Sequence, residues 1–189
     1  MARDPARREA LAERATDWAL EHGLIGLSLR PLAAAIGTSD RMLLYHFADR
    51  DDLVATVLRV STDRAVRQVR ALPTSAGVAR CVIEFWEASI TGELASCQRL
   101  YVEAAALGLL GQEPYANVVR EANDRWTAAL VERVIDAGCP PGVARRVVLL
   151  LDAASMGLQL DLELDRGHPD QVRAVLDLAD ALAALARSG

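Results

Sequence analysis

A chain of 189 residues, 52% hydrophobic and 25% charged, can bury a sizeable core without disulfides or metal, and it shows neither low-complexity tracts nor a solenoid period. A net charge of −5 argues against broad, nonspecific adhesion to nucleic acid, but phosphate binding depends on the local contact face and stays open. The start "MARDPARREA" lacks the apolar core of an export signal, and runs such as "AAALGLLG" and "VVLLL" are too short to cross a bilayer, so a soluble, cytoplasmic protein is expected.

Helix signals dominate the chain from its first residues. Asp4-Pro5 reads as a cap followed by proline in the first turn, and Leu11, Ala15, Trp18 and Ala19 recur on one face until Gly23, giving a helix over 5–22. Ser28 opens a second helix with Leu29, Leu32, Ala33 and Ile36 inward and Gly37 as its stop. Thr38 or Ser39 starts a third, over 39–46, which buries Leu43. Asp49 and Asp52, spaced as a capping box, open a longer helix that reaches Ala71. Pro73, Gly92, Gly111 to Pro114, Gly138 to Pro141 and Gly167 to Pro169 then separate helices over 75–90, 93–109, 114–137, 142–165 and 169–187. The expectation is an all-α chain of about nine helices. Cys81, Cys97 and Cys139 are odd in number and lack C-x-x-C spacing, so they read as free, buried thiols.

Residues 28–53 have the properties a helix-turn-helix requires: small Ala33 in the first helix, Gly37 in the turn, and Leu32, Ile36 and Leu43 as apolar anchors. "LRPLAAAIGTSDRMLLYHFADRDDL" resembles the DNA-binding region of the TetR family of bacterial transcriptional regulators, through Ser28, Ala33, Gly37, Ser39, Leu43, Tyr45, His46, Phe47 and Asp49-Arg50-Asp51. Arg41-Met42 replaces the family's frequent Gly-Thr, Leu44 replaces a frequent aromatic, and Arg50 a frequent lysine.

The resemblance implies a DNA-binding domain over 1–53 and a ligand-binding and dimerisation domain over 54–189. Ser28, Arg30, Tyr45, His46 and Arg50 are the candidates for phosphate contacts, and Thr38, Ser39, Asp40 and Arg41 for base edges, with Arg41 suited to a guanine O6/N7 pair. Arg3, Arg7 and Arg8 form a candidate basic arm. Competing readings are an ion pair of Arg41 with Asp40 or Asp49, a structural His46, and capping by Ser28 and Ser39. Phe47 and Leu43 belong to the core.

Beyond residue 56 the pattern is amphipathic. Val78, Val82, Phe85 and Trp86 share one face; so do Leu94, Cys97, Tyr101, Ala104 and Leu107, and Tyr115, Val119, Ala122, Trp126 and Leu130. Such faces are ordinarily core, but the resemblance implies a small-molecule pocket, with Phe85, Trp86, Tyr101 and Trp126 as walls and Asn123 as a polar contact. Aromatic walls and scarce internal charge point to a largely apolar or aromatic effector. The last two helices are apolar on more than one face and fit an isologous four-helix interface in a homodimer.

The expected function is a dimeric regulator, a repressor of a palindromic operator released by a small-molecule ligand. A ligand-binding dimer without operator recognition is the alternative, with a helical-bundle enzyme a further one. His22, His46 and His168 lie on separate elements, and neither H-E-x-x-H nor a nucleophile elbow occurs, so no catalytic residue, metal site or cofactor is expected.

Overall fold

Asp4 accepts a hydrogen bond from the Ala6 N–H at 3.1 Å and caps α1 (Pro5–His22), whose first position is taken by Pro5, where no intrahelical bond is lost. The computed structural model describes residues 4–164 and 170–188, and among these it contains helices and no strand. After α1 come α2 (Leu29–Ala35), α3 (Asp40–His46), α4 (Arg50–Ala71), α5 (Val78–Ser89), α6 (Gly92–Leu109), α7 (Tyr115–Asp136), α8 (Pro141–Leu164) and α9 (Gln171–Arg187). No helix among the described residues is long and apolar enough to cross a membrane. Arg3, His168 and the expected stop at Gly167 to Pro169 lie outside the described residues.

Local chemistry accounts for most boundaries. At the end of α2 the Thr38 N–H donates to the Ala33 carbonyl at 2.9 Å and the Gly37 N–H to Ala34 at 3.2 Å. This is a Schellman pair with Gly37 at φ +66°, a conformation that favours glycine. The start of α4 modifies the expected capping box. The Asp52 N–H donates to Asp49 Oδ1 at 2.8 Å, whereas the Asp52 carboxylate reaches back one residue further than usual, to the Ala48 N–H at 2.9 Å. One boundary moved: α5 begins at Val78 and not near 75, because Ser75 turns its hydroxyl to the Glu84 carboxylate and Gly77 stands at φ +101°.

The chain packs as two units, Met1–Ala65 with Ala95–Asp124, and Val66–Leu94 with Arg125–Gly189, so the division falls inside α4, α6 and α7. In the first unit α1, α2 and α3 pack on one another. Leu11, Leu32, Leu43, Phe47, Leu53 and Leu100 belong to one buried apolar cluster. Long-range ion pairs brace α1 against α4. Arg64 donates to Glu13 and, at 2.6 Å, to Asp17, and these carboxylates outweigh its partial burial and raise its basicity.

In the second unit α9 packs against α5 and α8. Cys81, Phe85, Leu130, Val134, Leu151 and Leu182 are buried there. Arg133, 8% exposed, donates to the carbonyls of Leu72 and Pro73, to the Ser75 hydroxyl and to Glu84, tying the α4–α5 loop to α7. Cys81 and Cys139 of this unit, and Cys97 of the first, are buried and in no disulfide.

Candidate functional site

The turn at Gly37 sets α3 off from α2 and leaves one face of α3 in solvent. Ser39 caps α3 by accepting from the Met42 N–H at 3.2 Å, and Asp40 accepts from the Arg41 N–H at 2.8 Å. Leu43, His46 and Phe47, spaced three and four apart, point inward; Arg41, Met42, Leu44 and Tyr45 point outward. Arg41 and Arg30 are exposed and have no ion-pair partner among the described residues, so the expected competitors Asp40 and Asp49 do not hold Arg41. Thr38 is half-buried at the turn, and Ser28 is exposed at the α2 cap position without making a side-chain cap bond. Arg50 is half-buried: its Nε donates to the Leu27 carbonyl at 3.3 Å and its guanidinium lies 3.5 Å from Asp51.

Two residues sit differently from the sequence expectation. His46 is 3% exposed, its ring meets Tyr45 edge-on, and its Nδ1 has no hydrogen-bond partner, because position 46 follows Leu43 by one inward turn. Arg8 is no free arm. It donates to the Asp52 carboxylate at 3.0 Å and to the Thr56 hydroxyl at 3.1 Å, and its guanidinium lies over the Phe47 ring at 4.8 Å. Burial opposes ionisation of Asp52, but the Ala48 N–H and Arg8 together hold its carboxyl below the usual range. Arg7 remains exposed.

Sequence reasoning missed Arg14, an exposed cation beside the turn: a Cβ on Gly37 would come within 3.1 Å of its Nη2. It also missed Glu103 of α6, whose carboxylate accepts from the N–H groups of Leu24 at 2.6 Å and Ile25 at 3.0 Å. Gly23, at φ +81°, gives that carboxylate room, since a Cβ there would stand 2.6 Å from its oxygen.

Of the expected ligand residues, Phe85, Trp86 and Trp126 fall in the second unit; Tyr101, half-buried, and Asn123, exposed, fall in the first. The Phe85 and Trp126 rings meet at 6.0 Å with a 52° tilt, Phe85 fully buried and both tryptophans half-buried. The unexpected member is Asp152 of α8, which accepts from Trp126 Nε1 at 2.8 Å and whose carboxyl burial pushes upward despite that bond. Its signal in the sequence is a single acid inside "VVLLLDAASMGL". A cleft of about 100 Å³ in this unit is lined by Arg70, Ser75, Glu132, Arg133 and Asp136 among others, and by none of the expected ligand residues. No group of three or more His, Cys, Asp or Glu among the described residues is placed to hold a metal ion.

No protein-family model matches the sequence, and no curated protein matches it. Solved structures match over nearly the whole chain. A transcriptional regulator from Rhodococcus sp. Rha1 superposes with a TM-score of 0.71 at 22% identity, covering 96% of each chain. A TetR transcriptional regulator from Legionella pneumophila has a TM-score of 0.71 at 16% identity, over 95% of this chain and 97% of its own. The multidrug binding protein EbrR complexed with ethidium has a TM-score of 0.67 at 24% identity, over 96% of this chain and 99% of its own.

Proposed function

We propose that this chain, which has the all-α fold of the TetR-family transcriptional regulators, is itself a DNA-binding regulator that responds to a small molecule. The observation that carries the reading is the outward face of α3: Arg41, exposed and unpaired, on a helix whose opposite face is anchored by Leu43 and Phe47. Fold alone would not license it, since one fold serves many functions. Residues 1–53 form the DNA-binding domain and residues 54–189 the ligand-binding and dimerisation domain. Arg41, Thr38, Ser39 and Asp40 read base edges, while Ser28, Arg30, Tyr45 and Arg50 contact phosphates.

The protein is a cytoplasmic homodimer. Leu149, Leu150, Leu160 and Leu164 on α8, with Val172 and Leu176 on α9, are exposed apolar side chains that a symmetry mate would cover in a four-helix interface. Two α3 helices spaced one DNA turn apart then read a palindrome. The protein acts as a repressor: the effector, in a pocket walled by Phe85, Trp86 and Trp126, binds one arrangement of the two DNA-binding heads, residues 1–53 of each protomer, better than the other and lowers operator affinity by that difference. That a protein of similar fold was solved with ethidium supports a pocket for a small aromatic ligand.

Selection from randomised duplex DNA, with Arg41→Ala in parallel and the oligomeric state measured by sedimentation, tests the reading. Recovery of one palindrome by a dimer, relaxed at defined base pairs by Arg41→Ala, is the expected outcome. A folded dimer that enriches no sequence at low salt would overturn operator recognition and leave a ligand-binding dimer.

A further inference from the structure

The polar contacts assigned to α3 leave one of its outward side chains without a role. Leu44 is 45% exposed, although its neighbour Leu43 is fully buried. A leucine side chain neither donates nor accepts a hydrogen bond, so it makes no polar contact with a phosphate or a base edge. Held half in water on a seven-residue helix, it also leaves the head's core to Leu43 and Phe47.

Its charged neighbours indicate what would cover it. Arg41 on the same helix, and Arg14 beside the Gly37 turn that leads into it, are exposed and have no ion-pair partner among the described residues. Asp40 is the acid at the start of the helix, and its Oδ1 accepts from the Arg41 N–H. Unanswered cations beside an exposed apolar side chain suit a polyanion that also presents an apolar group. In the major groove of duplex DNA that group is the C5-methyl of thymine.

Helical geometry relates the two contacts. Leu44 follows Arg41 by three residues, which puts it about 60° round the helix and about 4.5 Å along it, whereas Met42 lies about 100° from Arg41. Tyr45 lies closer to Arg41 than either but carries a hydroxyl suited to a phosphate. Successive bases are about 3.4 Å apart along the duplex, so a leucine one turn from an arginine that takes a guanine meets a base about one or two steps away.

We infer that Leu44 is a specificity-determining residue, which recognises the C5-methyl of a thymine within about two base pairs of the guanine taken by Arg41. The inference rests on the DNA-binding half of the proposed function and is independent of its ligand-binding half. It gives each half-site a thymine as well as a guanine, read by apolar contact where the other base contacts are polar.

The test starts from the palindrome that the full-length protein selects, with the guanine located as the base pair that Arg41→Ala relaxes. Each thymine within about two base pairs of it is replaced in turn by uracil, which keeps O4 and its pairing and lacks only the methyl, and affinity is measured at fixed salt. Uracil at one of these positions is expected to weaken wild type about fourfold, the equivalent of one buried methyl. The same replacement is expected to change the affinity of Leu44→Ala by less than about twofold. A selected palindrome with no thymine at these positions, a wild type indifferent to uracil there, or a uracil effect undiminished in Leu44→Ala would each overturn the inference and leave the regulator reading intact. Loss of the dimer in Leu44→Ala would assign the exposed leucine to a protein interface and also overturn it. The wild-type uracil series decides even where Leu44→Ala fails to fold. A folded protein that selects no sequence loses the regulator reading, and this inference with it.

Discussion

Two arginines set the head apart from the second packing unit. Arg41 on α3 stands in solvent with no partner among the described residues, whereas Arg133 on α7 is 8% exposed and divides its donors among two carbonyls, a hydroxyl and a carboxylate. Water solvates the first guanidinium at little cost and leaves it available to a new acceptor. Burial of the second requires that its acceptors be supplied by the fold. A cation that is free is therefore informative in the head, whereas the buried cation of the second unit is part of its scaffold.

The largest effect should come from the head's core: Phe47→Ala, at a fully buried position beneath Arg8, is expected to cost about 3–5 kcal/mol in denaturant unfolding. A loss below about 1 kcal/mol would mean that Phe47 does not anchor α3. In the second unit, Arg133→Met should cost about 3 kcal/mol by stranding the Leu72 and Pro73 carbonyls and taking the buried cation from Glu84.

Arg41→Ala is the mirror image, expected to move stability by less than about 0.5 kcal/mol. Yet it should weaken the selected operator by about 1–3 kcal/mol in a gel-shift titration. Equal stability losses for Arg41→Ala and Arg133→Met would break the contrast. Gly37→Ala should cost about 1–2 kcal/mol, since alanine is strained at φ +66° and its Cβ would crowd Arg14.

The smallest effect is pH-dependent. The folded state holds the Asp52 carboxyl below its ordinary range, so its contribution to stability is present above the unfolded pKa and is lost as pH falls through the folded one. Urea unfolding at neutral and acidic pH should show wild type losing part of its advantage over Asp52→Asn on acidification. A gap that stays constant would show that the ionised carboxylate is not what Arg8 and the Ala48 N–H stabilise.

Helix positions were legible because their causes are local. The Asp4 and Ser39 caps, the Asp49–Asp52 spacing and the Gly37 stop involve residues at most a few positions apart, and each makes its bonds close to home. The α5 start was misjudged where groups outside the local turn intervened: Ser75 donates its hydroxyl to Glu84 and accepts from Arg133, and Gly77 stands at φ +101°. In the head, the outward face of α3 followed from periodicity, and the same periodicity applied to 43, 46 and 47 would have put His46 inside.

The sequence by itself determined the helices, their order, the turn between α2 and α3, and which side of α3 faces water, because caps, positive-φ glycines and apolar periodicity act within a turn or two of the chain. Only the tertiary structure decided the fate of individual charges. Arg8 meets Asp52 across 44 residues, Asp152 meets Trp126 across 26, and Arg133 meets Leu72 across 61. Whether a charged side chain is free, paired or stranded depends on what folding brings beside it and how much water folding removes, and neither quantity is written in local spacing.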